Sequence, residues 1–152
     1  MRKILFLLLI LSVITLTSCG EQGNVSMRAY VRTAAIDGNT LTLAFFSGEE
    51  TVSVSAEDLE KAKSKAEIEI GKEIFVGHTE LILLSDCDSR GVLEYIFRRW
   101  KPSPSCMVLK INENGGEAVR NRDPQELSGA VKVAVEQGKL PECDIINVLS
   151  EN

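Results

Sequence analysis

The chain has 152 residues, 44% of them hydrophobic and 26% charged, with 22 acids against 17 bases and a formal net charge of −5. This balance argues against nucleic acid as a partner and gives no electrostatic reason to lie flat on an anionic bilayer. The length suits one hydrophobic core of ordinary size and no second domain.

In chain order, the first element is a leader. Arg2 and Lys3 precede an apolar run from Ile4 to Leu11 that continues, with small polar interruptions, to Leu16. The run is short of the roughly 18 to 20 apolar residues that a permanent membrane-spanning helix needs, so residues 1–18 read as a signal peptide. It ends at Leu16-Thr17-Ser18-Cys19-Gly20, which resembles a bacterial lipobox. The resemblance implies cleavage before Cys19 and a diacylglyceryl group on its sulfur, so that Cys19 is the lipid attachment residue and holds the protein on a membrane. Removal of residues 1–18 takes away Arg2 and Lys3 and no acid, which moves the formal charge to −7. Residues 19–24 form a short polar tether, and residues 25–152 form the folded domain.

Residues 26–36 run into Asp37-Gly38-Asn39, and Thr40–Phe46 begins with alternating character; the Asp-Gly pair favours a tight reversal, so a β-hairpin is expected. Ser47–Glu50 turns the chain into a short strand at Thr51–Val54, at or near an edge. Ser55 is the expected N-cap of the next helix, with Glu57 and Asp58 in its first turn, a thin stripe of Leu59, Ala62, Ala66 and Ile70, and a stop at Gly71. Glu80–Ser85 is too short for a buried helix and reads as an interior strand covered on both faces. Asp88 or Ser89 caps a helix whose broad apolar face holds Val92, Leu93, Ile96, Phe97 and Trp100, and which ends at Lys101 because Pro102 follows. Cys106–Ile111 is another strand and Asn112–Gly116 a loop. Asp123-Pro124-Gln125-Glu126 combines an N-cap, a proline at the first helical position and an acid three residues after the cap; its helix carries Leu127, Ala130, Val131, Ala134 and Val135 and closes at Gly138. Asp144 starts one further turn. Together these predict an α/β (α+β) single domain, a mixed β-sheet that starts with a β-hairpin and is flanked by helices.

Chemistry-bearing patterns are few. There is no Gly-x-Ser-x-Gly elbow, His-Glu-x-x-His helix, glycine-rich phosphate loop or Gly-x-Gly-x-x-Gly turn. Any mechanism that uses histidine must use His78, which precedes a strand and reads better as a structural histidine than as a general base. No catalytic residue, metal ligand or cofactor is therefore assigned, and the expectation is that the chain is not an enzyme. Asp86-Cys87-Asp88 lies at the carboxyl end of the interior strand, where α/β sheets often place ligands; a weak cation site is conceivable there, and capping by Asp88 accounts for the same residues. Arg98, Arg99 and Lys101 fit a helix C-terminus, where cations offset the carbonyl end of the dipole. Beyond Cys19, the odd set Cys87, Cys106 and Cys143 contains no Cys-x-x-Cys pair; buried or partly buried free thiols are expected, and a single disulfide such as Cys87 with Cys106 is left open.

Lys72, Ile74, Phe75, Gly77 and His78, followed by a buried apolar strand, resemble the pattern in the N-terminal domain of the Ger(x)C family, lipoprotein C subunits of spore nutrient-germinant receptors. Flanking segments agree: Ala35-Ile36-Asp37 with Thr40–Leu43 resembles the family's early hairpin, and Phe97-Arg98-Arg99 with Met107-Val108-Leu109 its next helix and strand. The lipobox is shared. The resemblance covers about residues 30 to 112 and is to one domain only, since family members characteristically carry two more. It implies a noncatalytic lipoprotein on the outer face of the cytoplasmic membrane, the inner spore membrane in a spore former, acting on membrane-embedded receptor subunits by contact. It implies no catalytic residue and no cofactor. The alternative from a different class is a lipid-anchored binding protein for a small solute outside the cytoplasm.

Overall fold

The computed structural model describes residues 27–150. The leader, the tether and Cys19 lie outside the described residues. The elements are β1 (Arg28–Asp37), β2 (Thr40–Phe45), β3 (Val52–Ser55), α1 (Leu59–Ile70), β4 (Glu73–Phe75), β5 (Leu81–Ser85), α2 (Ser89–Tyr95) continuing as a wide π turn at Ile96–Trp100, β6 (Met107–Lys110), α3 (Gly115–Asn121), α4 (Pro124–Glu136) and α5 (Ile145–Ser150). They form the single α/β domain expected, around a mixed sheet of order β3-β2-β1-β5-β6, with β4 also paired to β1. The hairpin β1–β2 and the β2–β3 pair are antiparallel; β4 and β5 follow one another along the other side of β1, both parallel to it, and β6 is parallel to β5.

Strand β5 sets the layering. All five of its residues are buried. Successive strand side chains point to opposite faces, so Ile82 and Leu84 join Val31, Ile36, Leu41, Leu43, Leu93, Ile96 and Trp100 in one core, while Leu81 and Leu83 join Ala35, Ala44, Val119, Leu127 and Val131 in the other. Helices α1 and α2 cover the first face; α3 and α4 cover the second. Burying one such leucine or isoleucine contributes about 2 kcal/mol relative to leaving it in water, which is why this apolar run sits at the centre of the sheet.

Several sequence expectations need correction. Helix α1 is capped by Asp58, whose side chain accepts from the Lys61 amide at 2.7 Å. Ser55 is held instead at the end of β3, opposite Thr40, with the two hydroxyls 2.8 Å apart. Glu73–Phe75, not anticipated as a strand, is recruited by β1: Ile74 is buried while Glu73 and Phe75 point outward. Asp88 stands at the N-cap position of α2 but its side chain makes no capping bond. Phe97, expected on the apolar face, is 54% exposed, because the π turn rotates it away while Ile96 and Trp100 stay buried. The turn closes with the Lys101 amide donating to the Ile96 carbonyl at 3.1 Å, and Lys101 adopts the left-handed conformation, φ 47°. Arg98 and Arg99 lie in this exposed last turn, at the end of the helix where cations were expected.

The loop expected at Asn112–Gly116 is in its second half the start of α3. Asn114 caps it, its side chain accepting from the Glu117 amide at 2.8 Å. Two glycines open this helix because the sheet lies directly beneath. A Cβ on Gly115 would stand 3.2 Å from the Ala35 and Leu83 side chains, and one on Gly116 only 2.6 Å from the Thr42 hydroxyl. The close approach lets the Gly115 and Gly116 amides donate to Asp37 Oδ1 and Oδ2 at 2.8 and 2.6 Å.

Candidate functional site

In an open α/β sheet, ligands collect outside the carboxyl ends of strands whose following helices leave to opposite faces. Strands β5 and β6 meet that description. The chain after β5 goes to the first face, where Leu93, Ile96 and Trp100 pack; the chain after β6 goes to the second, where Val119 packs. Between them opens a crevice of about 600 Å³, into which β1 delivers Asp37, β2 Thr40 and Thr42, β5 Ser85 and Asp86, the loop after β6 Asn112 to Asn114, and α3 Arg120.

Each side chain is placed by the fold. Asp37 and Ser85 are register partners at the ends of the parallel pair β1–β5. Asp37 is oriented by the two glycine amides of α3. Thr42 shares a hydrogen bond with Ser53 at 2.9 Å, and the Ser53 hydroxyl also accepts from Arg120 Nη1 at 3.0 Å. Asp86, immediately after β5, takes φ 45°, a left-handed geometry that aspartate and asparagine adopt more readily than other non-glycine residues. Ser85 is 9% exposed and its hydroxyl has no hydrogen-bond partner among the described residues.

The cation site considered at Asp86-Cys87-Asp88 is not assembled: among the described residues no three His, Cys, Asp or Glu side chains converge on a point that could hold a metal ion. Of the three, only Asp86 lines the crevice.

A second depression lies at the opposite end of the sheet. It encloses about 1250 Å³ and is lined by Tyr30, Arg32, Phe46, His78, Glu80, Ser128 and Lys132 among others. Arg32 reaches it because a bulge between Val31 and Thr33 leaves this residue without a partner on β2, which turns its side chain. Its guanidinium lies 4.3 Å over the Phe46 ring and donates through Nη1 to Gln125 at 3.0 Å, with Glu80 3.4 Å from Nε. Glu80 in turn accepts from the Ser128 hydroxyl at 2.9 Å. His78 stacks on Tyr30, with ring centroids 6.1 Å apart, and meets the edge of Phe75 at 5.1 Å. Its place is therefore in an aromatic cluster at the amino end of β1, where sequence alone offered solvent or a carbonyl.

Cys87, Cys106 and Cys143 are free thiols. Burial pushes the Cys106 thiol up from 9.0 to about 12, with Cys143 nearby adding to the rise. A thiol held protonated by the fold stabilises the native state below its unfolded value and loses that contribution as the pH climbs toward its folded value. Urea midpoints should therefore fall as the pH rises from 9.0 toward 12, and Cys106→Ala should remove part of that slope; an identical slope in the variant would refute the assignment. In the native protein near neutral pH, Cys106 should also resist iodoacetamide until the chain unfolds, as mass spectrometry of quenched samples would show.

No helix among the described residues is long and apolar enough to cross a membrane. Compared with family models, curated proteins and solved structures, the chain gives no match.

Proposed function

We propose that this protein is a noncatalytic lipoprotein, anchored through Cys19 to the outer face of the cytoplasmic membrane, that works by contact with membrane-embedded subunits of a spore nutrient-germinant receptor. The observation that carries the reading is the stretch Leu16-Thr17-Ser18-Cys19-Gly20 placed just ahead of the folded domain, whose described residues start at Met27. Seven residues lie between Cys19 and Met27, eight Cα-to-Cα steps that span at most about 28 Å even when fully extended. An acyl anchor at Cys19 keeps the amino end of β1 beside the bilayer.

That end carries the aromatic cluster. Tyr30 and Phe75 are neighbours on adjacent strands, their ring centroids 5.5 Å apart, with His78 against both and Phe46 alongside. Phe46 and Phe75 are 38% and 36% exposed. Rings of this kind, apolar in body and set beside the Arg28–Glu73 ion pair, suit the centre of a protein interface. The resemblance of residues 30 to 112 to the Ger(x)C N-terminal domain supplies the identity of the neighbours.

The test is a photoreactive residue at position 75 in the sporulating host. Under this reading it cross-links to a membrane-embedded receptor subunit, while the same residue at Ile68, 83% exposed on α1, does not. Equal labelling from both positions, or no membrane-embedded partner at position 75, would contradict the proposal.

A further inference from the structure

We infer that the crevice at the carboxyl ends of β1, β5 and β6 is a binding site for a small amine, a solute that carries an ammonium group. The inference goes beyond the anchoring reading and stands whether or not Cys19 is lipidated.

Two observations converge on it. The first is topological: the crevice lies where the chain leaves β5 and β6 for opposite faces of the sheet, the position at which open α/β sheets bind ligands. The second is the Ser85 hydroxyl. Ser85 lines the crevice, and among the described residues its buried hydroxyl has no hydrogen-bond partner, a state that costs free energy and that a ligand or solvent group bonded to it relieves.

Charge selects the ligand. Among the described residues that line the crevice, Asp37, Asp86 and Glu113 stand against one cation, Arg120, an excess of two negative charges. Among the described residues no three His, Cys, Asp or Glu side chains come together as a metal site would need, so an organic cation is the better match. An ammonium group offers three N–H donors and no acceptor. Asp37 already accepts two amide bonds but keeps lone pairs free, as an ionised carboxylate has about four acceptor sites. The ligand's ammonium would lie between Asp86 and Asp37, with Ser85 as the neighbouring hydroxyl, and the rest of the molecule along Thr40 and Asn112. Anions and neutral diols lack the complementary charge.

The experiment titrates the chain from residue 19 onward with putrescine, and in parallel with 1,4-butanediol, its uncharged analogue, and inorganic phosphate, following heats of binding and amide chemical shifts. The expected result is saturable putrescine binding, shifts centred on residues 85, 86 and 113, and no saturation with the other two. Asp86→Asn removes the charge and keeps a residue that tolerates left-handed φ, so the fold is retained; it should weaken putrescine binding about tenfold. Ser85→Ala, checked for an unchanged melting temperature, should also weaken it. The inference is overturned if putrescine fails to saturate at millimolar concentrations, if butanediol binds as well, or if both variants bind putrescine like the parent.

Discussion

Asp37→Ala is expected to lower the unfolding free energy by about 3 kcal/mol, because it strips the acceptor from two amides that the packing of α3 holds against the sheet. Asp37 ends β1, and the amides belong to Gly115 and Gly116, nearly eighty residues later. The carboxylate therefore joins the hairpin to the third helix, and losing it leaves donors that only water at the crevice rim can satisfy. Asp37→Asn keeps one acceptor oxygen and should fall between the two. The same contact reverses an ordinary rule. In most helices Gly→Ala stabilises by about 1 kcal/mol; here Gly116→Ala sets a methyl group 2.6 Å from the Thr42 hydroxyl and 2.9 Å from Asp37, and should destabilise by about 2 kcal/mol. Gly129, in α4 with open space around its Cβ position, should show the ordinary sign. Urea unfolding of the variants measures all of this. A loss under about 0.5 kcal/mol for Asp37→Ala, within the range of ordinary surface substitutions, would mean that α3 is held some other way.

Cys19→Ala is expected to have the largest effect in the cell, the complete release of the protein from membranes. Each buried methylene of an acyl chain contributes about 0.8 kcal/mol, so a diacylglyceryl group holds durably where a single chain does not. The folded part offers little to replace it: without residues 1–18 the chain would carry a net charge of −7, which an anionic bilayer repels, and no helix among the described residues is long and apolar enough to cross a membrane. The variant should fold normally, since position 19 precedes every described element. Under the proposed function, germination in a strain that carries only the variant should match that of a strain lacking the protein. A Cys19→Ala protein that still sediments with membranes would refute the anchor, and one that is soluble yet fully active would refute the need for it.

The local pattern carried most of the secondary structure. Apolar alternation and Asp37-Gly38 marked the hairpin, the short apolar run marked β5, and Asp123-Pro124 marked α4, whose cap accepts from the Gln125 and Glu126 amides as that spacing demands. What failed was decided by tertiary contact. Gly115-Gly116 reads as a loop by propensity, and becomes helix because Asp37 holds its amides. Glu73–Phe75 is too short to show a period and is a strand only because β1 lies beside it. Asp86 was visible as an acid at the end of an interior strand. Its companions Asp37 and Glu113 were not, because they come together only through the pairing of β1 with β5 and the loop after β6. His78 drew notice as the lone histidine, and its contacts with Tyr30 and Phe75 depend on the β1–β4 pairing that the sequence did not reveal.

The central claim is that Cys19 is the lipidated first residue of the mature protein. Mass spectrometry of the N-terminal peptide, from protein extracted with detergent from its native membrane, tests it most directly. The account predicts a chain that begins at Cys19 and carries the mass of a diacylglyceryl group on its sulfur. A chain that retains residues 1–18, or one that begins elsewhere with an unmodified thiol, would contradict it.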